Sequence, residues 1–590
     1  MKKFGFALAM PLIVLLLAVL PVPDFWISQF ITIGLYALPC MGLVLLTGVM
    51  GLTSFGQAAF VGIGAYASAW LTLNTGLSPW MGLLLGLSIT TVSAVILAFI
   101  TLRMSGHYLP LATIAWGLAL YFLMGNLETL GKYDGLLAVP GLQLFSWNVG
   151  AGRGFFVFTW AIVLLSALAL TRLLNSRTGR AMRAIKNGTQ MAEAMGISSF
   201  RYKLIAFVIA AELASVSGWL LAHYQHSVNP SAFGLKMGIE YLFMTVVGGV
   251  GYIGGAIVGA GITKVLDDQL QVLLPKLIGT SGSYEVIVFG VVLVVMLKFL
   301  PDGLWQLVER FLPRSKRVFP TEGSAQSASL PEKSKHRTDD LILEVSSIRK
   351  EFGGLVAVND ISFDIKAGQI VGLIGPNGAG KSTTFNLITN VLPTTSGTVR
   401  FRGQEIQHLL ARDIAGRGIS RTFQHVKMIA DMTVLENVAL GAHIRGHKGS
   451  MSAMLGLDKE EEAMLFQEAR RQLERVGMGS MLHELAGNLP MGPQRLLEIA
   501  RALCLDPALL LLDEPAAGLR HKEKQALVSV LRQLQSEGLS ILLVEHDMDM
   551  VMDVCDHLVV MEFGTLLMQG NPSEVQQSPA VRAAYLGVEH

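Results

Sequence analysis

The chain has 590 residues, of which 52% are hydrophobic and only 15% are charged, with a formal net charge of +2 and a mean hydropathy of +0.50. A soluble protein carries about 25% charged residues, and a chain of this length divides into several domains of about 150 residues each. The composition therefore excludes an ordinary cytosolic enzyme and a disordered chain. The near-neutral net charge gives no basic surface for nucleic acid, so no nucleic-acid partner is expected.

Charged residues are unevenly distributed and divide the chain into two parts. Residues 1–310 contain 28 charged side chains, and residues 311–590 contain 62. Residues 25–102 contain none, and that length suffices for three membrane spans at about 20 residues each. Further uncharged runs bring the expected total to eight to ten transmembrane helices. We therefore expect an all-α polytopic membrane domain over residues 1–312.

Basic residues predict which side of the membrane each loop faces. Lys2 and Lys3 precede an apolar run without a cleavage site, which favours a first membrane helix over a signal peptide. The segment 172–203 carries seven Lys and Arg and one acidic residue. Because cytoplasmic loops are enriched in basic residues, we expect the N-terminus, this segment and the end of the membrane domain to be cytoplasmic.

The second part of the chain follows a different pattern. Residues 313–340 are rich in Ser, Pro, Lys and Glu without an apolar period, which indicates a flexible cytoplasmic linker. From residue 341 onward, short apolar runs such as 370–374 and 541–544 alternate with helical patterns. This alternation predicts an α/β domain with a largely parallel sheet over residues 341–590.

The strongest motif is GPNGAGKST at residues 375–383, which matches the phosphate-loop pattern G-x-x-x-x-G-K-[ST] between a strand and a helix. Glycines let backbone N–H groups curl around phosphates, and the helix N-terminus adds a positive dipole. Lys381 is expected at the β- and γ-phosphates of ATP, and Ser382 at Mg²⁺. The predicted nucleotide-binding residues of the loop are Gly375, Pro376, Asn377, Gly378, Ala379, Gly380, Lys381, Ser382 and Thr383.

The run of leucines at residues 509–512 predicts a buried strand that ends in two acids, Asp513 and Glu514. We expect Asp513 to hold Mg²⁺ through water and Glu514 to polarise the attacking water. A solvated strand end is the alternative, which the upstream phosphate loop disfavours. With ATP and Mg²⁺ as cofactors, the two motifs predict an ATP hydrolase.

The order of these motifs resembles that of ABC-transporter ATPases. The phosphate loop is followed by RTFQ at 421–424, then DEP at 513–515, then a histidine after the apolar run 541–544. The resemblance implies an α/β P-loop ABC ATPase domain. It assigns catalytic roles to Gln424, Glu514 and His546, metal contacts to Ser382, Gln424 and Asp513, and adenine stacking to Phe352.

One ABC motif departs from the family pattern LSxGQ. The chain has instead the degenerate signature Leu489, Pro490, Met491, Gly492, Pro493 and Gln494. Proline is tolerated in a first helical turn, but a hydroxyl and a backbone donor for the γ-phosphate are missing. In this family each signature closes the ATP site of a partner domain. The resemblance therefore implies one weak site, and a need for a partner with an intact signature.

Two further stretches, 352–365 and 421–438, resemble the G-type ATPase of branched-chain amino-acid (Liv-type) importers. In the first part, TSFGQAAF at 53–60 and GRAMRAI at 179–185 resemble the M-type permease of the same systems. The chain is thus identified as a fusion of a LivM-type permease with a LivG-type ATPase. The resemblance implies ATP-driven import of branched-chain amino acids or similar small polar solutes across the bacterial inner membrane by a multi-pass protein.

The family also implies partners and leaves alternatives open. Expected partners are membrane lipid, a second permease (LivH type), a second ATPase (LivF type) and a periplasmic substrate-binding protein, although a homodimer is possible. Urea, short amides or aromatic acids remain alternative substrates. An ABC exporter half-molecule and a non-transporting ATP-regulated membrane sensor remain alternative functions.

The cytoplasmic segment 187–200 resembles the permease's coupling helix, which docks on the ATPase near Gln424. The residues that carry this resemblance are Ala192, Glu193, Ala194 and Gly196. An amphipathic helix at the membrane interface is the alternative.

Overall fold

The computed structural model describes residues 2–102, 108–144, 147–149, 152–278, 285–300, 303–311, 330 and 340–586. The chain forms two compact units. The helical unit comprises Met1–Asn175, Phe200–Arg317 and Ala453–Leu455. The α/β unit comprises Ser176–Ser199, Val318–Ser452 and Gly456–His590. The predicted linker 313–340 lies outside the described residues, apart from Leu330 and Asp340.

Apolar runs of the first 311 residues form helices, as their composition predicts. The helices are α1 (Lys2–Val19), α2 (Asp24–Leu43), α3 (Gln57–Thr75), α4 (Pro79–Thr101), α5 (Tyr108–Asn126), α6 (Gly152–Leu174), α7 (Arg177–Asn187), α8 (Thr189–Ala194), α9 (Ser199–Gln225), α10 (Leu235–Gly248), α11 (Ile253–Ile278), α12 (Glu285–Phe299) and α13 (Trp305–Phe311). Four two-residue strands accompany them, β1 (Leu136–Leu137), β2 (Gln143–Leu144), β3 (Trp147–Asn148) and β4 (Ser227–Val228). Of these elements, α7 and α8 belong to the α/β unit.

Five stretches of the described chain are long and apolar enough to cross a membrane. They are Asp24–Val49, Pro79–Thr101, Tyr108–Asn126, Gly152–Leu174 and Ser199–Gln225. A sixth results if α10 and α11, bent by 116°, count as one span. The described residues thus fall short of the expected eight to ten spans. The uncharged run 25–102 does form three helices, α2, α3 and α4, but α3 carries polar residues such as Gln57 and Asn74 and is not apolar enough to be counted as a span. Helix α12, with 15 residues, is too short to be counted as a membrane span.

Helices α3 and α9 approach each other so closely that glycine is required at the crossing. A Cβ on Gly64 would lie 2.1 Å from the carbonyl oxygen of Ser215, and a Cβ on Gly218 would lie 1.8 Å from that of Val61. Small residues let helix backbones pack at van der Waals distance in a membrane, where apolar burial gives no preference for helix contact over lipid contact.

Residues 341–586 form two sheets with helices around them. The strands are β5 (Leu341–Phe352), β6 (Leu355–Lys366), β7 (Ile370–Ile374), β8 (Ser396–Phe401), β9 (Gln404–Glu405), β10 (Ile419–Arg421), β11 (Leu509–Asp513), β12 (Ser540–Val544), β13 (His557–Glu562) and β14 (Thr565–Gly570). The helices are α14 (Lys381–Ile388), α15 (Ala411–Arg417), α16 (Val434–Ala439), α17 (Ser450–Leu455), α18 (Lys459–Arg475), α19 (Met491–Leu503), α20 (His521–Ser536), α21 (Met548–Val554), α22 (Pro572–Gln577) and α23 (Pro579–Leu586).

The main sheet has the order β10-β11-β12-β7-β13-β14, parallel except for β14. An antiparallel sheet has the order β6-β5-β8-β9. On β11, Leu510 and Leu512 enter one hydrophobic core, and Leu509 and Leu511 enter the other. A strand buried on both faces has no polar side to present, and this accounts for the uninterrupted leucine run.

The contact between α3 and α9 predicts an asymmetric response to one added methyl group. Gly218→Ala would press a Cβ against the backbone of Val61 and is expected to lower the free energy of unfolding by about 1–3 kcal/mol. Gly290→Ala on α12 is the matched control, because a Cβ there would meet no described atom within 4 Å. Thermal unfolding of the full-length protein in detergent measures both. Equal midpoints for the two variants would contradict the assigned contact.

Candidate nucleotide site and docking segment

Four neighbouring parallel strands bring the predicted ATPase motifs to one edge of the main sheet. The phosphate loop follows β7, Gln424 follows β10, Glu514 follows β11 and His546 follows β12. Because these strands are adjacent in the order β10-β11-β12-β7, their carboxyl ends open on the same crevice. Ligands of open α/β sheets bind at such an edge.

The phosphate loop requires glycine at three positions. Gly375, Gly378 and Gly380 have φ values of 151°, 83° and 94°, which residues with a Cβ adopt only with strain. A Cβ on Gly375 would also lie 2.1 Å from the carbonyl oxygen of Met561. Around Gly378 no atom lies within 4 Å of such a Cβ, so the tip of the loop is open to a ligand.

Lys381 begins α14 and is buried at the base of the loop. Its Nζ donates hydrogen bonds to the carbonyl oxygens of Gly375 at 2.8 Å and Pro376 at 2.9 Å. Burial lowers the pKa of its ammonium, and the carboxylates of Glu514 and Asp513 oppose that shift. The ammonium is therefore held within the loop beside two acids.

Asp513 ends β11 in a buried position. Its backbone N–H donates to the Thr422 hydroxyl at 3.3 Å, while its side-chain Oδ1 is buried without a hydrogen-bond partner among the described residues. Burial raises the pKa of this carboxyl above its ordinary 3.8, and the nearby Arg421 guanidinium opposes the rise. Burial likewise lowers the pKa of Arg421, to about 10.

Glu514 brings together the three residues to which the sequence assigns catalysis. One carboxylate oxygen is hydrogen-bonded to His546 Nε2 at 2.9 Å, and the other accepts from Gln424 Nε2 at 3.2 Å. Its backbone N–H donates to the carbonyl oxygen of Val544 at 2.8 Å. The backbone φ of Glu514 is +47°, a conformation that is uncommon for a residue with a side chain and that aims this carboxylate.

Phe352 lies at the end of β5, half exposed. The Lys350 ammonium lies 5.1 Å from the centre of its ring. The following strand, β6, runs beside the phosphate loop, since a Cβ on Gly380 would lie 2.6 Å from the Ala357 carbonyl oxygen. The β5–β6 hairpin therefore carries an accessible aromatic ring on β5, and its other strand borders the phosphate-binding turn.

The signature Leu489–Gln494 forms the start of α19. Pro490 is the N-cap residue and makes no side-chain capping hydrogen bond. The side-chain amide of Gln494 donates back to the carbonyl oxygen of Leu489 at 2.6 Å. With proline also at residue 493, the first turn leaves the backbone N–H groups of Met491 and Gly492 without an acceptor within the helix, but it offers no hydroxyl.

Later residues of α19 hold the backbone of the segment after β10 through hydrogen bonds. The sequence motifs did not predict this role. Arg495 donates to the carbonyl oxygens of Phe423 at 3.0 Å and Gln424 at 2.7 Å. Arg501 donates to the carbonyl oxygen of Lys427, and Glu498 accepts from the Lys427 backbone N–H at 2.9 Å. Charged residues buried on an otherwise apolar helix face were the available signal.

The predicted coupling residues pack within the α/β unit. Ala192 and Ala194 are buried, and Glu193 accepts a hydrogen bond from the Ser199 hydroxyl at 2.7 Å. Gly196 has φ +75°, and a Cβ there would lie 2.1 Å from Ile444 Cγ2. A Cβ on Gly188 would lie 3.9 Å from Lys427 Cδ, three residues beyond Gln424.

Comparison with known proteins covers most of the chain. Residues 22–297 match the family model described as branched-chain amino acid transport system / permease component. Residues 358–517 match the ABC transporter model, and residues 565–590 match the branched-chain amino acid ATP-binding cassette transporter model.

Two relatives are similar to the second part of the chain. The high-affinity branched-chain amino acid transport ATP-binding protein BraF of Pseudomonas aeruginosa is 41% identical over 251 residues, 42% of this chain and 98% of BraF. LivG of Escherichia coli K12, with the same description, is 40% identical over 249 residues, 42% of this chain and 98% of LivG. A crystal structure of a nucleotide-free ATP-binding cassette from an ABC transporter is 31% identical, with a TM-score of 0.38, and covers 42% of this chain and 98% of its own.

These matches confirm the expected fold class, a helical membrane permease followed by an α/β ABC ATPase, and the expected ATP-hydrolysing activity coupled to transport. The chain therefore belongs to the branched-chain amino-acid ABC transporter family and joins the permease component and the ATP-binding component in one polypeptide.

Proposed function

We propose that the chain supplies one permease and one ATPase to an importer that moves branched-chain amino acids across the bacterial inner membrane. The observation that carries this proposal is the position of residues 176–199. They lie inside the permease match, between α6 and α9, yet pack within the unit that holds the phosphate loop. The names of the relatives support the substrate class.

The proposed ATP site uses the residues named from the sequence. The phosphate loop 375–383 binds the phosphates, and Phe352 stacks on adenine. The residues fit Mg²⁺, since Asp513 offers a buried oxygen without a hydrogen-bond partner and Ser382 lies exposed in the first turn of α14. Ser382, Asp513 and Gln424 would hold the ion. When bound, Mg²⁺ offsets the charge of the β- and γ-phosphates.

In the proposed hydrolysis, Glu514 orients and polarises the water that attacks the γ-phosphate. His546 and Gln424 hold the two oxygens of this carboxylate, so its direction is set before ATP arrives. Fixed groups aimed at the reacting atoms need no reorganisation during the reaction. Lys381 leaves the loop carbonyls to meet the β- and γ-phosphates.

The proposed coupling works by a population shift. ATP binds the closed pair of ATPase domains better than the open pair and so biases the permeases between two access states. Ala192, Glu193, Ala194 and Gly196 transmit this change to the permease. The proposed division of the chain is permease 1–312, linker 313–340 and ATPase 341–590, with the N-terminus and the ATPase in the cytoplasm.

The proposed partners are a second permease, a second ATPase and a periplasmic substrate-binding protein. Purification of the tagged chain in mild detergent, with mass spectrometry of co-purifying proteins, tests this. Recovery of a second permease and an ATPase with an intact signature supports the asymmetric importer. Recovery of the chain alone as a dimer would instead favour a slow or regulatory ATPase, the second candidate, because both sites would carry the proline-containing signature.

Neutralising Glu514 tests the function directly. In proteoliposomes with the partners and leucine-loaded binding protein, we expect ATP-dependent leucine uptake by the unmodified protein. Glu514→Gln should lower ATP hydrolysis and uptake by about 10²–10³-fold, because the group that polarises water is lost. Glu484→Gln, at an exposed acid on the same unit, is the control and should keep both activities. Uptake of urea or an aromatic acid in place of leucine would overturn the substrate class.

The burial of Asp513 predicts that its ionised carboxylate lowers the stability of the folded protein at neutral pH. The pKa of its carboxyl is raised in the folded chain. Ionisation of Asp513 therefore lowers the free energy of unfolding as the pH rises above the ordinary pKa near 4. Asp513→Asn should therefore raise the unfolding temperature of the nucleotide-free full-length protein at pH 7, with a difference that shrinks toward pH 4. Asp431→Asn, at an exposed position, should change nothing. An unfolding temperature for Asp513→Asn at or below that of the unmodified protein would contradict the prediction.

The proline-containing signature predicts a weak ATP site in the assembled complex. Pro490→Ser together with Pro493→Gln restores a hydroxyl and a backbone donor at the start of α19 and should raise ATP hydrolysis by about tenfold or more, the gain expected from recovered γ-phosphate donors. The steady-state ATPase rate of the purified complex measures this. An unchanged rate would contradict the prediction that the two prolines weaken the ATP site.

A further inference from the structure

A second contact lies on the permease-derived segment, separate from the predicted coupling residues. Arg177 and Arg180, one turn apart on α7, face Glu461 and Glu462 in the first turn of α18. Arg180 Nη1 lies 2.6 Å from Glu462 Oε2. We name these four residues the arginine clamp; all of them belong to the α/β unit.

Glu462 also caps α7 from outside the helix. The N-cap residue, Ser176, makes no side-chain capping hydrogen bond. Instead, the backbone N–H of Arg177 donates to Glu462 Oε1 at 2.5 Å. A carboxylate at this end of a helix satisfies an unpaired donor and is favoured by the helix dipole. One carboxylate thus holds both the start and the second turn of α7.

Arg177 fixes the other half of the clamp. Its Nη1 and Nη2 donate to the carbonyl oxygens of His443 and Lys448, each at 2.6 Å, and its Nε lies 3.6 Å from Glu461 Oε1. Glu461 in turn accepts from the backbone N–H groups of His447 and Lys448. The guanidinium therefore binds the backbone of residues 443–448 through directional hydrogen bonds.

Burial restricts the geometry of the arginine clamp. The Arg180 side chain is 2% exposed and that of Glu462 is 9% exposed, and the Arg180 guanidinium lies 4.7 Å from the centre of the Phe466 ring. An ion pair shielded from water is specific in geometry, and the loss of one partner leaves the other charge buried and unpaired. By contrast, a Cβ on Gly196 would meet the apolar side chain of Ile444.

The clamp is joined to the signature helix through the protein core. Leu465 and Phe466 of α18 lie in one hydrophobic cluster with Leu497 and Ile499 of α19. A displacement of α19, which begins with Leu489–Gln494, is therefore passed to α18 by packing and to α7 by the ion pairs. This route does not include Gln424.

We infer that Arg177, Arg180, Glu461 and Glu462 are positioning residues that couple movement of the signature helix to the permease segment. This inference rests on the proposed transport function. It assigns the clamp a share in coupling that is additional to that of Ala192, Glu193, Ala194 and Gly196.

Charge reversal tests the inference in the complete complex. In Arg180→Glu or Glu462→Arg alone, we expect basal ATP hydrolysis to be kept and leucine uptake per ATP hydrolysed to fall by about tenfold, since coupling free energies of allosteric sites are of that size. The double variant restores an opposite-charge pair and should recover most of the ratio. Glu460→Arg, at the exposed neighbouring position on α18, is the matched control and should keep the ratio.

The outcome that overturns the inference is an uptake-to-ATP ratio in both single variants equal to that of the unmodified complex. Equal loss of hydrolysis and uptake that the double variant does not restore would also overturn it, as this indicates a merely structural contact. If the single variants do not assemble, Arg180→Met with Glu462→Leu removes both charges without leaving one unpaired. A reduced ratio in that variant supports the clamp, and an unchanged ratio refutes it.

A second readout separates the clamp from the transport function. Hydrogen–deuterium exchange of residues 177–187 in the full-length chain should be slow in the unmodified protein, faster in Arg180→Glu and slow again in the double variant. Exchange unaffected by Arg180→Glu refutes the clamp. If this exchange pattern holds while no amino acid is taken up, the clamp stands and the proposed function fails.

Discussion

The register of four parallel strands is the constraint on which the nucleotide site depends. In the order β10-β11-β12-β7, Arg421 pairs with Leu511, and Asp513 pairs with Val544. That register puts Gln424, Glu514 and His546 within hydrogen-bond distance of one another. A slip of one residue would turn the alternating leucines of β11 into the opposite cores and move the carboxylate away from its two partners.

Helix α19 extends this constraint beyond the sheet. Its first turn is the proline-containing signature, and its later turns hold the backbone of Gln424 and Lys427 through Arg495, Glu498 and Arg501. Burial raises the pKa of the Glu498 carboxyl, and the two arginines oppose that rise. Ions buried in this way are favourable only in the arrangement that pairs them, so the helix fixes the segment after β10 relative to its own first turn.

The features that sequence reasoning predicted are those encoded locally. The phosphate loop depends on glycines at fixed offsets, and β11 on a continuous apolar run, so both could be predicted from a few adjacent residues. The number of spans could not, because α3 is a helix whose polar residues lower its hydropathy and because α10 and α11 form a bent pair. The arginine clamp could not be predicted from the sequence either, since Arg180 and Glu462 are 282 residues apart. Arg and Glu are also residue types that usually lie at the surface.

The packing of residues 176–199 within the α/β unit has a consequence for assembly. The ATP-binding relatives are separate chains of about the size of this ATPase part, since the 249–251 matched residues cover 98% of each. Where both components share one polypeptide, the ATPase is tethered near its permease segment at a high effective concentration. The contacts of residues 176–199 with the ATPase part then do not have to hold the two components together against dilution. The same tether fixes the ratio of the two components at one to one, whatever the expression level.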